Sequence, residues 1–490
     1  MKYNIFILLN TLFLSEIASN YIIIPFDTFI YNPKNNEILE NDIISMKLNE
    51  DIYSNLSIGS PAQDIKTLLR LDQYEPTIKE PKYNSSLSSS FKLRSIQDKL
   101  IANDTFHFMI INSSEEINKF IHNDKIIDKN LYKEYKDIKF VYINETSNYK
   151  FLEKYLMDRE IEKIIRYNYS MLGLRLRFMN VDYNPDFIQS LRQMNVINSS
   201  IFTFYINNNN KKENNHDHYG YLIIGDKFTD TEKEFEEINN TFFSLRDSSI
   251  SWDIAIDNIY SESKSNSKFN EIYLEKNQKV ELLIEKSYIL GTKNYKSFIE
   301  NAFFNELVGY NVCEYRNSLM EHSYGTYVCD STSKIFIDFY YNKFPELIFK
   351  TERITDELIL DKNDLFFYNK YNKSDTNIYF LIFFSTKYTS KWMLSRPFLE
   401  KYRLSFNIDT RFIMYHKKKF SENQIENETK EDNRDTDSFN LIIKILVIIF
   451  LVSIIFLLGF LFHKLITKKP RKQKANELND DYDYSSINKS

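Results

Sequence analysis

Few residues of this 490-residue chain could do chemistry by type and spacing. Cys313 and Cys329, with 15 residues between them, are its two cysteines. In an oxidising compartment they are expected to pair, and a loop of that size stabilises a fold by about 3 kcal/mol. No histidine is evident that would turn either thiol into a nucleophile. His216 and His218 flank Asp217, and a His-x-His pair can hold a metal, but no third ligand is fixed nearby. A solvated loop is the expectation for 207–218, and no metal site is assigned. There is no G-x-S-x-G elbow for a serine nucleophile. With 8 Gly in the whole chain, against about 35 at average usage, Gly-rich phosphate loops are excluded. No cofactor is implied.

The elements that would position such residues follow from composition and patterning. Net charge is −5, from 63 Lys+Arg against 68 Asp+Glu. No global basic field exists, which argues against nucleic acid as a partner. The apolar share is 43%, enough for a sizeable core. Residues 1–19 read as a secretory signal peptide: Lys2, a short apolar run from Ile5 to Leu14, then Ile17-Ala18-Ser19. Ile445–Phe462 is 18 residues without a charge. Extended back to Leu441, it is long enough to span a bilayer. Lys464, Lys468, Lys469, Arg471, Lys472 and Lys474 follow it, and seven acids with two bases precede it in 421–440. The basic flank is cytoplasmic by the positive-inside rule. The chain therefore reads as type I, with a 28-residue tail at 463–490. That tail holds a Tyr484–Ile487 sorting-like pattern. Ten Asn-x-Ser/Thr sequons before the expected span, Asn55 and Asn84 among them, permit glycosylation.

Between these ends, short apolar and aromatic runs predict strands: Ile201–Ile206, Tyr221–Ile224, Ile335–Phe339, Tyr379–Phe384 and Arg411–Tyr415. Helical patterns are few, at about 148–166, 185–195 and 294–307. Residues 20–48 are mixed and polar, either a pro-segment or an N-terminal strand docked on the body. The ectodomain is expected to be mainly β with a few helices.

Seven stretches, in order, resemble pepsin-like aspartic peptidases. Ile58-Gly59-Ser60-Pro61-Ala62-Gln63 resembles the family's I-G-T-P-x-Q segment, and Tyr83–Phe91 its Ser-rich turn. Met171-Leu172-Gly173-Leu174 resembles I-L-G-L. Phe187–Tyr205 and Gly220–Gly225 match two further segments, and Trp252-Asp253-Ile254 resembles the start of the second lobe. Trp392-Met393-Leu394-Ser395-Arg396-Pro397-Phe398-Leu399 resembles W-I-L-G-D-x-F-L. The resemblance covers roughly 50–416. It implies two β lobes, here 49–230 and 231–420, with a peptide-binding cleft between them.

Such a family works through two Asp-Thr/Ser-Gly loops whose paired carboxylates share a proton and activate a water. This chain has neither tripeptide. Aligned without a gap from Gly59, the first catalytic position is Arg70. With a two-residue insertion it is Asp72, and Pro81 then falls where the family's proline follows its loop; this register is preferred. In the second lobe the position is Leu283 ungapped from Gly291, or Glu285 with a shift. Asp72 and Glu285 are thus the remnant candidates. Gln73 and Tyr74 replace the tight turn, Leu394-Ser395-Arg396 has lost the family's glycine, and no flap Tyr-Gly occurs between 100 and 120. The expectation is a membrane protein with a pepsin-like ectodomain that has lost catalysis and binds a peptide or protein partner. The alternatives are an active endopeptidase using Asp72 and Glu285, and a surface adhesion or structural protein whose groove is filled by Tyr74, Tyr288 or residues 20–48.

Overall fold

Runs of β-branched and aromatic residues build two large sheets in this protein, seen in a computed structural model. The structure describes residues 20–30, 43–73, 76–80, 82–96, 99–123, 131–143, 169–175, 186–206, 218–226, 235–236, 242–244, 252–262, 273–318, 323–352, 354, 356–368, 375–386 and 391–418. All belong to one unit, 1–419. The predicted signal peptide 1–19, stalk 421–440, span 441–462 and tail 463–490 lie outside the described residues, as does the helix expected at 148–166. Among the described residues no helix is long and apolar enough to cross a membrane.

The first sheet takes β1 (Tyr21–Ile30), β2 (Glu50–Ile58), β3 (Gln63–Arg70), β4 (Thr77–Lys79), β5 (Lys92–Ile96), β6 (Lys99–Ile111), β7 (Tyr132–Ile143), β8 (Ser170–Gly173), β9 (Ile201–Ile206), β10 (Gly220–Gly225), β11 (Phe235–Glu236) and β12 (Phe242–Ser244). The second takes β13 (Asp253–Glu262), β14 (Tyr273–Leu283), β15 (Ile289–Gly291), β16 (Cys313–Asn317), β17 (Tyr324–Asp330), β18 (Glu346–Lys350), β19 (Leu358–Leu360), β20 (Phe366–Tyr368), β21 (Asn377–Phe380), β22 (Ile382–Ser385) and β23 (Trp392–Ser395). The chain then returns to the first sheet through β24 (Tyr402–Asn407) and β25 (Phe412–Lys418), with β24 paired to β9.

An internal repeat is written into the pairing. The order β2-β3-β8-β4-β7 in one sheet matches β13-β14-β23-β15-β22 in the other. Strand directions match as well. β3 lies parallel to β8 with Arg70 opposite Gly173, and β14 lies parallel to β23 with Leu283 opposite Ser395. β4 and β15 are each antiparallel to the neighbour on one side and parallel to the neighbour on the other. Parallel neighbours end at the same side of a sheet, so the turn after β3 lies beside the end of β8 and the turn after β14 beside the end of β23.

Aromatic residues tie the sheets together. Within the first sheet Phe202 of β9 stacks on Phe406 of β24 at 4.9 Å, and Trp252, which leads into the second, meets Phe406 edge-on, also at 4.9 Å. The Trp252 indole donates to the Leu174 carbonyl at 2.8 Å, so the start of the second sheet is fixed to the end of β8. Few glycines remain, and Gly59 shows why one does: its φ of +98° is open chiefly to glycine. It opens the turn from β2 to β3.

Two local expectations are corrected. Ile335–Phe339 is helical within a 335–340 turn, not a strand. Ser333 starts it, accepting from the Phe336 and Ile337 amides through its hydroxyl and carbonyl. Four apolar residues around Asp338 are compatible with either state. The run Tyr379–Phe384 is two strands, broken at Leu381, whose amide donates to Leu365 O at 2.7 Å. The expected helices near 185–195 and 294–307 occur at Phe187–Gln193, capped by the Asp186 carboxylate, and from Lys293, capped by Thr292.

Residues 20–48 are not a polar appendage where they are described. β1 is a central strand, paired with β10, β2 and β6. A short helix, α1 (Ile43–Asn49), follows. Its Ile43, Ile44, Met46 and Leu48 pack with Tyr288, Val328, Tyr379 and Phe383 of the second sheet.

Candidate functional site

The repeat delivers the ends of β3 and β14 to equivalent places. Arg70 and Leu283 are the last residues of those strands, and Asp72 and Glu285 each lie two residues further on. Asp72 and Glu285 therefore occupy matching turns.

Arg70 is the centre of the cluster. Its side chain is only 1% exposed, so its charge needs partners close by. Asp72 supplies a two-point contact: Nε to Oδ1 at 2.9 Å and Nη2 to Oδ2 at 2.7 Å. The planar fork of arginine matches a carboxylate in this way. Asp51, near the start of β2, lies 3.5 Å from Nη1. Glu285 arrives from the second sheet with Oε1 at 3.6 Å from Nη2, an ion-pair distance longer than a hydrogen bond. Glu285 is fully buried, and neither of its oxygens has a hydrogen-bond partner among the described residues.

The two carboxyl groups are driven apart in acidity. Burial pushes Glu285 up to about 8; Asp72 and Asp51 add to the shift, while Arg70 and Lys286 oppose it. Burial also works against an ionised Asp72, but the Arg70 guanidinium and its hydrogen bonds prevail and hold Asp72 below the usual carboxylate range. Near neutral pH, Asp72 is thus a carboxylate bound to arginine and Glu285 a buried acid.

A second arginine reaches back from the other sheet. Arg396 follows Ser395 of β23 and is 2% exposed. Its Nη1 donates to Glu50 Oε1 at 3.0 Å, and its Nε to the Lys286 carbonyl at 3.2 Å. Lys47 of α1 also holds Glu50, at 2.8 Å. Burial alone would raise the Glu50 carboxyl, but Arg396 and Lys47 outweigh it and bring Glu50 to about 2. Ser287 Oγ donates to the Lys47 carbonyl at 2.9 Å. Glu50 and Asp51 of β2 are therefore each met by a buried arginine, one from each sheet.

Chemically, the arrangement differs from a shared-proton dyad. Both Asp72 oxygens are committed to Arg70, and the nitrogen that binds Asp72 also faces Glu285. Pairs of carboxyls with separated acidity do serve as acid and base in enzymes, but here a guanidinium stands between them. Tyr288 beside this cluster is covered by α1 and stacks on Phe383 at 4.8 Å; Tyr74 lies outside the described residues.

The other sequence candidates resolve simply. Cys313 and Cys329 form a disulfide, facing each other directly across β16 and β17. His218 binds the Asp27 carboxylate through Nδ1 at 2.9 Å, while His216 and Asp217 lie outside the described residues. Among the described residues no group of His, Cys, Asp and Glu is placed to hold a metal. Sequence reasoning missed Glu50 and Asp51. Their only signal was a pair of acids at the start of a mixed strand.

No protein-family model matches this sequence, and no curated protein does.

Proposed function

We propose that this chain is a single-pass type I membrane protein with a signal peptide at 1–19 and a span at 441–462. Its ectodomain is a two-lobed, pepsin-like body that has lost peptide-bond hydrolysis. It binds a peptide or protein partner between the lobes. Support for the fold comes from the repeated five-strand order and from where the resembling segments fall. Ile58–Gln63 makes the turn into β3, Met171–Gly173 lies in β8, and Trp392–Leu399 runs from β23 into the helix Arg396–Lys401.

One observation carries the loss of catalysis: Arg70 takes both oxygens of Asp72 and faces Glu285 with the same nitrogen. A general base must take up the proton it removes, and the guanidinium bonded to both Asp72 oxygens lowers the carboxylate's basicity. Full-length protein in detergent micelles, incubated with a mixed peptide library from acid to neutral pH, is expected to give cleavage no faster than buffer. Pepstatin-sensitive cleavage with an acid optimum, lost in Asp72→Asn, would establish the active endopeptidase instead. A second reading, a surface scaffold without a cleft function, is favoured by the apolar side chains of α1 covering Tyr288. Capture of peptides from the same library, lost on substituting residues around Tyr288, separates the two.

A further inference from the structure

We propose that Glu285 is the proton-operated element of a lock between the two sheets. With its proton it rests against Arg70; without it, an extra buried charge loosens the contact of the end of β3 with turn 284–287. This inference concerns the junction itself and stands whether or not the chain hydrolyses or binds peptides.

The geometry sets the lock. Contacts across the junction include Arg70 to Glu285, Arg396 to Glu50, and Ser287 to the Lys47 carbonyl. Of the acids involved, Asp72 and Glu50 have charged hydrogen bonds from arginine. Glu285 has none to either oxygen among the described residues, and it is fully buried. The charged groups facing it are Arg70 at the end of β3, Asp72 in the turn after it, Asp51 on β2, and Lys286 beside it. With Glu285 neutral, two cations meet two anions. Ionising it leaves three anions to two cations, with Arg70 Nε and Nη2 already bonded to Asp72. An ionised carboxylate without hydrogen bonds in a buried place is the costly state.

Direction follows from linkage. The folded-state value of Glu285 is about 8, above that of an unfolded glutamate. Its contribution is therefore complete below the ordinary carboxyl range and is lost as pH rises through about 8. One proton is bound in the folded state and not in the unfolded state across that interval. The folding equilibrium constant should fall roughly tenfold per pH unit there. The lock is tight in an acidic compartment and slack in a mildly alkaline one.

Thermal unfolding of the full-length protein in micelles, followed across this pH interval, tests the lock. The wild type is expected to lose stability steadily as pH rises, and Glu285→Gln to be flat over the same interval. Equal slopes in the two proteins would overturn the proposal. If Glu285→Gln fails to fold, infrared difference spectra of the wild type decide the matter. A carbonyl band of an un-ionised carboxylic acid, bleaching with a midpoint near 8, supports the lock. A band already absent at mildly acidic pH overturns it.

Discussion

Replacing Arg70 by methionine is expected to destabilise the protein by about 3–5 kcal/mol, the cost of removing one partner from a buried ion pair. Total stabilities of folded domains are about 5–15 kcal/mol, so a large share of the folded margin disappears. The cause is not a lost contact but what remains. Asp72 loses both of its hydrogen bonds, and Asp51 stays buried without the cation it faces. Arg70→Lys keeps the charge but not the two-point fork, so it should fall between the two. Arg70→Met combined with Asp72→Leu should recover part of the loss, because exchanging a buried pair for apolar groups is often neutral. Urea unfolding midpoints measured at constant pH report all three. An unchanged midpoint in Arg70→Met would mean that the guanidinium does not neutralise the cluster.

How far this was readable in advance depends on the range of the interaction. β9 and β10 were plain in the sequence because both faces are buried and every position can be apolar or β-branched. The helix at Phe187–Gln193 was plain because Asp186 caps it locally. Ile335–Phe339 misled because its helix is started by Ser333 and stabilised by Phe336 packing on Phe366 and Tyr341, neither of which is visible in the five residues themselves. α1 was missed for a similar reason: Ile43, Ile44, Met46 and Leu48 make sense only against the second sheet. The turns carrying Asp72 and Glu285 could be picked out, yet Arg396 and Glu50 are 346 positions apart and meet only in three dimensions. No local pattern announces such a pair. Ambiguity between Arg70 and Asp72 had a physical source as well. Both belong to one charge cluster, so neither register is empty of a chemically plausible residue.

A chain beginning at residue 43, without β1, is expected not to fold. β1 differs from a removable pro-segment in being buried on both faces. Ile22, Ile24 and Phe26 point into the main core, while Tyr21 and Ile23 pack on the other side with Met109, Ile111, Ile117 and Ile121. All five side chains are at most 3% exposed. At about 1.5–3 kcal/mol for each fully buried side chain, their sum is on the order of 10 kcal/mol, comparable with the whole stability of a domain. Backbone adds to this, because β1 pairs with β10 along one edge and with β2 and β6 along the other. Removing it leaves three strands with unpaired amides and carbonyls in the middle of the first sheet. Single substitutions grade the same argument. Ile24→Val should cost about 0.5–1.5 kcal/mol, whereas Ile24→Asp buries an unpaired charge and should abolish folding. A synthetic peptide of residues 20–30, added during refolding of the shortened chain, should restore cooperative unfolding by filling the gap. If instead the shortened chain melts cooperatively at the wild-type temperature, β1 is dispensable, and residues 20–42 are a pro-segment that the mature fold can release.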